Sequence, residues 1–163
     1  MCSSEDDRFL FIGAGVVPII TNVITGVQDW YGKNVKNDYL DLEVPMRDID
    51  AAFIKDNKWI SVLTADRKLR LYDTRGTNRR PAKDVALSVT EKCLMTRMLV
   101  SPCENYYYVS NDIGEIFKCD SRADWKSVCK YKGVTTSITD ISVSRKILIA
   151  SSLDSYIYMF NED

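Results

Sequence analysis

Trp59-Ile-Ser-Val-Leu-Thr-Ala-Asp66, running into Arg-Lys-Leu-Arg-Leu-Tyr72-Asp73, reads as an apolar run, a short polar turn and a second run that alternates. Within Lys68 to Asp73, Leu69 and Leu71 point one way while Lys68, Arg70 and Tyr72 point the other, which is the period of a strand. The layout recurs twice. Tyr106-Tyr-Tyr-Val-Ser-Asn-Asp-Ile-Gly114 leads into Glu-Ile-Phe-Lys-Cys119-Asp120. Lys146-Ile-Leu-Ile-Ala-Ser-Ser-Leu-Asp154 leads into Ser-Tyr-Ile-Tyr-Met-Phe160-Asn161. Each unit closes on an Asp or Asn, 47 residues apart from Asp73 to Asp120 and 41 from Asp120 to Asn161. The segments are rich in β-branched and aromatic residues, and none keeps a 3.6-residue period over a helical length.

Working outward, each hairpin is preceded by another strand-like run: Asp48 to Ile54, Leu94 to Val100 and Ser137 to Val143. Pro81 to Ser88 and Trp125 to Tyr131 supply fourth strands. Phe9 to Gly15, Pro18 to Thr25 and Trp30 to Val35 make three strands of an earlier unit. Four strands in a period of about 40–45 residues is the signature of a WD-repeat propeller blade. The fold expected is therefore all-β: a partial WD-repeat β-propeller of about four blades of four-stranded antiparallel sheet, in an incomplete ring. Residues 44–88 and 92–131 form whole blades, and 8–42 and 136–163 form blades lacking a strand. Such a run is expected to belong to a longer protein or to be completed by another copy, and its open edges and faces predict self-association.

Composition narrows the function. Net charge is −1 and the pI about 5.6, which excludes indiscriminate attraction to phosphate backbones. The chain has no histidine, which removes the commonest general base, the Ser-His and Cys-His pairs and His-based metal sites. Cys2, Cys93, Cys103, Cys119 and Cys129 form no CxxC pair and match no zinc spacing, so they read as reduced thiols of a cytosolic or nuclear protein. No Gly-rich phosphate loop or cofactor motif is present. No apolar run approaches the ~20 residues that span a bilayer, and Met1 to Asp7 is too acidic for a secretory or mitochondrial leader. No catalytic, metal or cofactor site is expected, and binding is.

Lys33-Asn-Val-Lys-Asn-Asp-Tyr-Leu-Asp-Leu-Glu-Val-Pro45 is more specific than a blade requires. Followed by Asp48, Asp50 and Phe53, it resembles the "KNVRNDWLDLRVP" element of a eukaryotic family of nucleolar WD-repeat ribosome-assembly factors. Leu69-Arg-Leu-Tyr-Asp73 with Arg75 and Arg79-Arg80-Pro81 resembles that family's "VRVYD…RRP". Asn111 to Arg122 and Ser152 to Tyr158 are similar to further family strings, though these two occur in WD repeats generally, and at Ser155 the family commonly has Arg. The resemblance runs over about residues 9–161 and corresponds to the C-terminal part of a seven-bladed propeller. It implies a scaffold on precursors of the large ribosomal subunit, in the nucleus and nucleolus. The partners it implies are pre-ribosomal proteins, an AAA-type ATPase that releases the factor, and rRNA as a further candidate contact.

The partner-binding residues read from these strings are Lys33, Lys36, Asn37, Asp38, Tyr39, Arg67, Arg75, Arg79 and Arg80. Two readings stand for each group. In the loop, Asn37 and Asp38 cap a turn while Tyr39 and Leu42 pack inward, or the loop is an exposed docking surface. In residues 66–84, seven cations face three carboxylates, forming either a solvated edge of ion pairs or a patch for rRNA phosphates or an acidic partner. Asp66, Asp112 and Asp154 read as turn formers. Trp59, Trp125 and Tyr106 to Tyr108 read as packing rather than base stacking. The competing function is a generic WD-repeat adaptor of a ubiquitin-ligase or chromatin complex, which would not need the two distinctive strings.

Overall fold

The computed structural model describes residues 2–3, 7–90 and 92–162, with only the backbone of Cys2 and Ser3. Four antiparallel sheets follow one another along the chain. The first comprises β1 (Cys2–Ser3), β2 (Arg8–Gly13), β3 (Val16–Asn22) and β4 (Gln28–Tyr31). The second comprises β5 (Asp48–Ile54), β6 (Trp59–Thr64), β7 (Lys68–Asp73) and β8 (Lys83–Ala86). The third comprises β9 (Met95–Val100), β10 (Tyr106–Asn111), β11 (Ile116–Asp120) and β12 (Lys126–Tyr131). The fourth has three strands, β13 (Ile138–Ser144), β14 (Ile147–Ser152) and β15 (Ile157–Asn161). Strand order in every sheet is chain order, the up-and-down arrangement of propeller blades. Among the described residues no helix is long and apolar enough to cross a membrane.

Two details differ from the sequence reading. The first sheet has a fourth strand, because Cys2–Ser3 pairs with Phe9 and Leu10, and two residues are too few to display alternation. Its outer strand is Gln28–Tyr31 and ends before Val35: Gly32 N still donates to Pro18 O of β3 at 2.8 Å, but Lys33 N donates to Arg79 O at 2.7 Å and the chain leaves the ladder.

A bulge recurs at one place in three sheets. Asp48 and Asp50 oppose Thr64 and Leu63, Met95 and Arg97 oppose Asn111 and Ser110, and Ile138 and Asp140 oppose Ser152 and Ser151. Ile49, Thr96 and Thr139 are thus inserted opposite a continuous partner strand. The insertion puts buried residues three apart at the start of each strand: Asp48 and Ala51, Met95 and Met98, Ile138 and Ile141.

The chain falls into two compact units, Met1–Thr64 with Lys68–Ala86, and Ala65–Arg67 with Leu87–Asp163. In the first, Leu10, Ile20 and Trp30 of the first sheet pack on Ala51, Ile60, Val62 and Tyr72 of the second. Trp30 meets Tyr72 edge to face, with centroids 5.9 Å apart. In the second unit, Tyr108, Ile116 and Tyr131 of the third sheet pack on Ile138, Ile141, Leu148 and Ala150 of the fourth. Each fully buried side chain of this size stabilises by roughly 1.5–3 kcal/mol relative to exposure. Tyr107 of β10 and Trp125, in the turn before β12, are buried and meet edge to face at 6.3 Å, so these two aromatics are core.

Gly114 closes the β10–β11 turn with φ +87°, and a Cβ there would stand 2.4 Å from Val134 O and 2.9 Å from Thr136 O. Asp112 Oδ1 in that turn accepts from Leu94 N at 3.1 Å. Asp154 Oδ1 accepts from Tyr156 N at 3.0 Å, and its Oδ2 accepts from the Tyr158 and Thr135 hydroxyls at 2.7 and 3.0 Å. These carboxylates hold turns.

Arg70 is the largest departure from a solvated edge, for it is 1% exposed. Its Nη1 lies 3.7 Å from Asp48 Oδ1 and its Nε 3.6 Å from Asp84 Oδ1. Asp48 is itself buried, and desolvation pushes its carboxyl up to about 6, against the opposing pull of Arg70. Burial, together with the nearby Asp48 carboxylate, pushes the Tyr72 hydroxyl up to about 12.

Candidate docking surface

The segment from Lys33 to Glu43 makes no strand and is held by side-chain bonds to its own backbone. At its base Asn34 Nδ2 donates to Val44 O at 2.7 Å and to Glu43 Oε1 at 3.4 Å. At its tip Asp38 Oδ1 accepts from Leu40 N at 2.8 Å and Leu42 N at 2.9 Å. Asp38 N donates to Leu42 O at 2.9 Å, and Asn37 Nδ2 donates to Asp41 O and Oδ1 at 3.1 and 2.9 Å. Asp41 takes φ 59°, a left-handed conformation that Asp tolerates better than most residues.

The capping half of the plainer reading therefore holds, and the packing half does not. Tyr39 is 92% exposed, Leu40 60% and Leu42 59%. The polar groups of the tip satisfy one another, so it closes on itself and its apolar side chains are left in solvent. Leu40 and Leu42 were not among the residues singled out for binding. The signal for them was Asn37, Asp38 and Asp41, a density of turn formers that removes the reason for neighbouring leucines to point inward.

The two distinctive strings, far apart in sequence, meet at the base of this loop. Lys33 N donates to Arg79 O, and Arg80 Nη1 donates to Asn34 O at 3.2 Å. The Arg79 guanidinium lies 3.9 Å from the Tyr31 ring centroid, a cation–π stack. Lys33, Lys36, Asn37, Asp38, Tyr39, Arg79 and Arg80 are thus carried on one connected piece of surface, on which Lys33, Lys36 and Arg80 are exposed.

Other residues of the basic segment have their own partners. Arg75 is engaged by Asp73 through Nε at 3.0 Å and Nη2 at 2.9 Å, and those bonds hold the Asp73 carboxyl down at about 2. Lys68 pairs with Asp84 at 3.7 Å. Arg67 belongs to the second unit, in the β6–β7 turn at φ 61°, where its carbonyl accepts from Leu87 N at 2.9 Å and it lines a recess with Lys92, Cys93 and Leu94. Of the seven cations, Arg70 is thus buried, and Arg75 and Lys68 are paired with carboxylates. Among the described residues no cluster of three or more His, Cys, Asp or Glu side chains is placed to hold a metal ion.

The loop is thus self-braced, presents an aromatic and two leucines at its tip, and is bonded at its base to Arg79 and Arg80. The sheets, their order and their repeat make the chain a WD-repeat protein of the partial-propeller kind.

Comparison with known proteins agrees. No family model matches. The chain is 30% identical over 124 residues to human WD repeat-containing protein 74, covering 75% of this chain and 31% of that protein. It is 28% identical over 152 residues to ribosome biogenesis protein NSA1 of Kluyveromyces lactis, covering 81% of this chain and 34% of that protein. A WD repeat-containing protein of Dictyostelium discoideum is 27% identical over 162 residues, 98% of this chain and 31% of its own length. The chain thus spans about a third of these relatives. Among solved structures, the crystal structure of the computationally designed Ika4 protein superposes with a TM-score of 0.67 at 14% identity, over 98% of this chain and 88% of that one. The sequence relatives are WD-repeat proteins and include a ribosome biogenesis factor, in line with the family resemblance of Lys33 to Pro45.

Proposed function

We propose that this chain is a non-enzymatic WD-repeat scaffold of ribosome biogenesis. In this reading it works in the nucleus and nucleolus on precursors of the large subunit, docking a pre-ribosomal protein through the loop from Lys33 to Glu43 with Arg79 and Arg80. The observation that carries it is the exposed Tyr39, Leu40 and Leu42 tip, braced by Asn37 and Asp38, on a loop whose base is bonded to Arg79 and Arg80. Kinship with NSA1 supplies the biological setting. An AAA-type ATPase that removes the factor, and rRNA contact through Arg80 and Lys33, belong to the same proposal. The apolar tip favours a protein partner, and the burial of Arg70 and the pairing of Arg75 with Asp73 withdraw both from RNA.

The test is affinity purification of the tagged protein with Tyr39→Ala and Leu42→Ala together, and separately with Arg79→Ala and Arg80→Ala. Losing a hot-spot anchor costs about 2 kcal/mol or more, so the first pair should reduce recovered pre-ribosomal protein at least tenfold. The arginine pair should weaken association and flatten its salt dependence if phosphates are contacted. Undiminished recovery with the first pair would overturn the docking assignment.

A further inference from the structure

The loop from Lys33 to Glu43 has two roots, and each runs into a strand of the second sheet. At the N-terminal root Lys33 N donates to Arg79 O, and Asn34 O accepts from Arg80 Nη1. Arg79 and Arg80 lead into β8, where Ala82 N donates to Leu71 O at 2.7 Å and Asp84 stands opposite Arg70 in the ladder. At the C-terminal root Val44 O accepts from Asn34 Nδ2, Gly15 N donates to Met46 O at 2.9 Å, and Arg47 bridges to Ala14. The next residue, Asp48, opens β5 opposite Thr64. Each root thus leads to a carboxylate: Asp84 stands four residues after Arg80, and Asp48 four residues after Val44.

Arg70 stands between these two carboxylates, with Nη1 3.7 Å from Asp48 Oδ1 and Nε 3.6 Å from Asp84 Oδ1. The Arg70 and Asp48 side chains are buried, whereas Asp84 is partly exposed and also pairs with Lys68. An ion pair this deep is a poor way to gain stability, because desolvating the charges consumes most of their attraction. These separations, just beyond direct hydrogen bonding, give up part of what is left. What the pair supplies is position, since a buried charge tolerates few arrangements other than the one that keeps its partners facing it. Arg70 itself is fixed. It lies on the interior strand β7, between buried Leu69 and Leu71 and opposite buried Val62.

We propose that Arg70 is the positioning residue of the loop, holding its C-terminal root through Asp48 and its N-terminal root through Asp84. The proposal rests on the reading of that loop as the docking surface, and Arg70 acts on a partner only through the loop. Asn34 ties the two roots to each other, and Arg70 ties each of them to the middle of the sheet. The two arms are separable, because Asp48 and Asp84 lie on opposite edge strands, β5 and β8. Removing one carboxylate frees one root and leaves the other held.

Amide hydrogen exchange of the 163-residue chain, read by NMR at pH 7, has a reporter in each root: Gly15 N, bonded to Met46 O, and Lys33 N, bonded to Arg79 O. The amides of β6, in the interior of the sheet, report global opening. Asp48→Asn should speed exchange at Gly15 at least roughly tenfold relative to β6 and leave Lys33 unchanged. Asp84→Asn should do the reverse. Arg70→Met should speed both roots; because it leaves the Asp48 charge uncompensated, Arg70→Met combined with Asp48→Asn carries the same expectation should the single variant not fold. Equal acceleration at Gly15, Lys33 and β6 in every variant would show a general loss of stability and overturn the proposal. No change at either root would overturn it too. These readings need no partner, so failure of the positioning role is distinguishable from failure of the docking assignment, which the Tyr39 and Leu42 pair tests.

Discussion

Replacing Asp48 by Asn should abolish a pH dependence that this chain is unusually well suited to display. Asp48 is buried beside Arg70, and its carboxyl is raised from an ordinary 3.8 to about 6 by loss of solvent. A carboxyl whose pKa is higher when folded binds more protons in the folded state. Its contribution therefore improves as pH falls from above 6 toward 4 and is lost as pH rises through 6. A displacement of that size is worth about 3 kcal/mol in full, of which roughly 1 kcal/mol is gained between pH 7 and pH 5. Carboxylates that are held down, Asp73 at about 2 and Asp120, Asp154, Glu115 and Glu162 in the same direction, act with the opposite sign. Their stabilisation is present above the unfolded carboxylate range and fades only as pH falls below it. With no histidine in the chain, no ordinary side-chain titration interferes between pH 5 and 7. Urea unfolding followed by tryptophan fluorescence at pH 5, 6 and 7 should show the chain gaining about 1 kcal/mol toward pH 5, with the gain absent in Asp48→Asn. A flat profile in the unmodified chain, or an undiminished slope in the variant, would refute the reasoning.

Gly114→Ala should destabilise by about 1–3 kcal/mol from backbone strain alone, and by more because its Cβ meets the Val134 and Thr136 carbonyls, read as a lower urea midpoint. Asp38→Ala removes acceptors from Leu40 N and Leu42 N at an exposed tip. It should leave global stability within about 0.5 kcal/mol while reducing partner recovery as the Tyr39 and Leu42 pair does, so unfolding and pull-down should diverge.

The second and third strands of the sheets were legible because alternation there is clean: Leu69 and Leu71 against Lys68 and Arg70 mark β7 directly. The first strands obey a different rhythm, since an inserted residue spaces Met95 from Met98 and Ile138 from Ile141 as a helix would, and only the flanking hairpins identify them. Alternation also reports a side, not a depth. Arg70 shares a side with Lys68, but that side is covered, and nothing local in Lys-Leu-Arg-Leu says that Asp48 waits beneath it. Of the docking surface, the strings were visible and their meeting was not, because the bonds from Lys33 to Arg79 and from Arg80 to Asn34 cross some 46 residues. Arg75 looks like a neighbour of Arg79 in sequence, yet an ion pair with Asp73 engages it.

Because every ladder joins strands that are consecutive in the chain, no sheet has to wait for a distant segment to arrive. Loop closure within each sheet is short and entropically cheap, which favours local and rapid formation of each sheet as its own nucleus. The same ordering has an evolutionary side. A segment that carries one whole sheet, such as β9 to β12 (Met95–Tyr131), can be duplicated or excised without cutting a ladder. The number of sheets is then a quantity that recombination can change in whole steps, while the sequence inside each sheet drifts under its own packing demands.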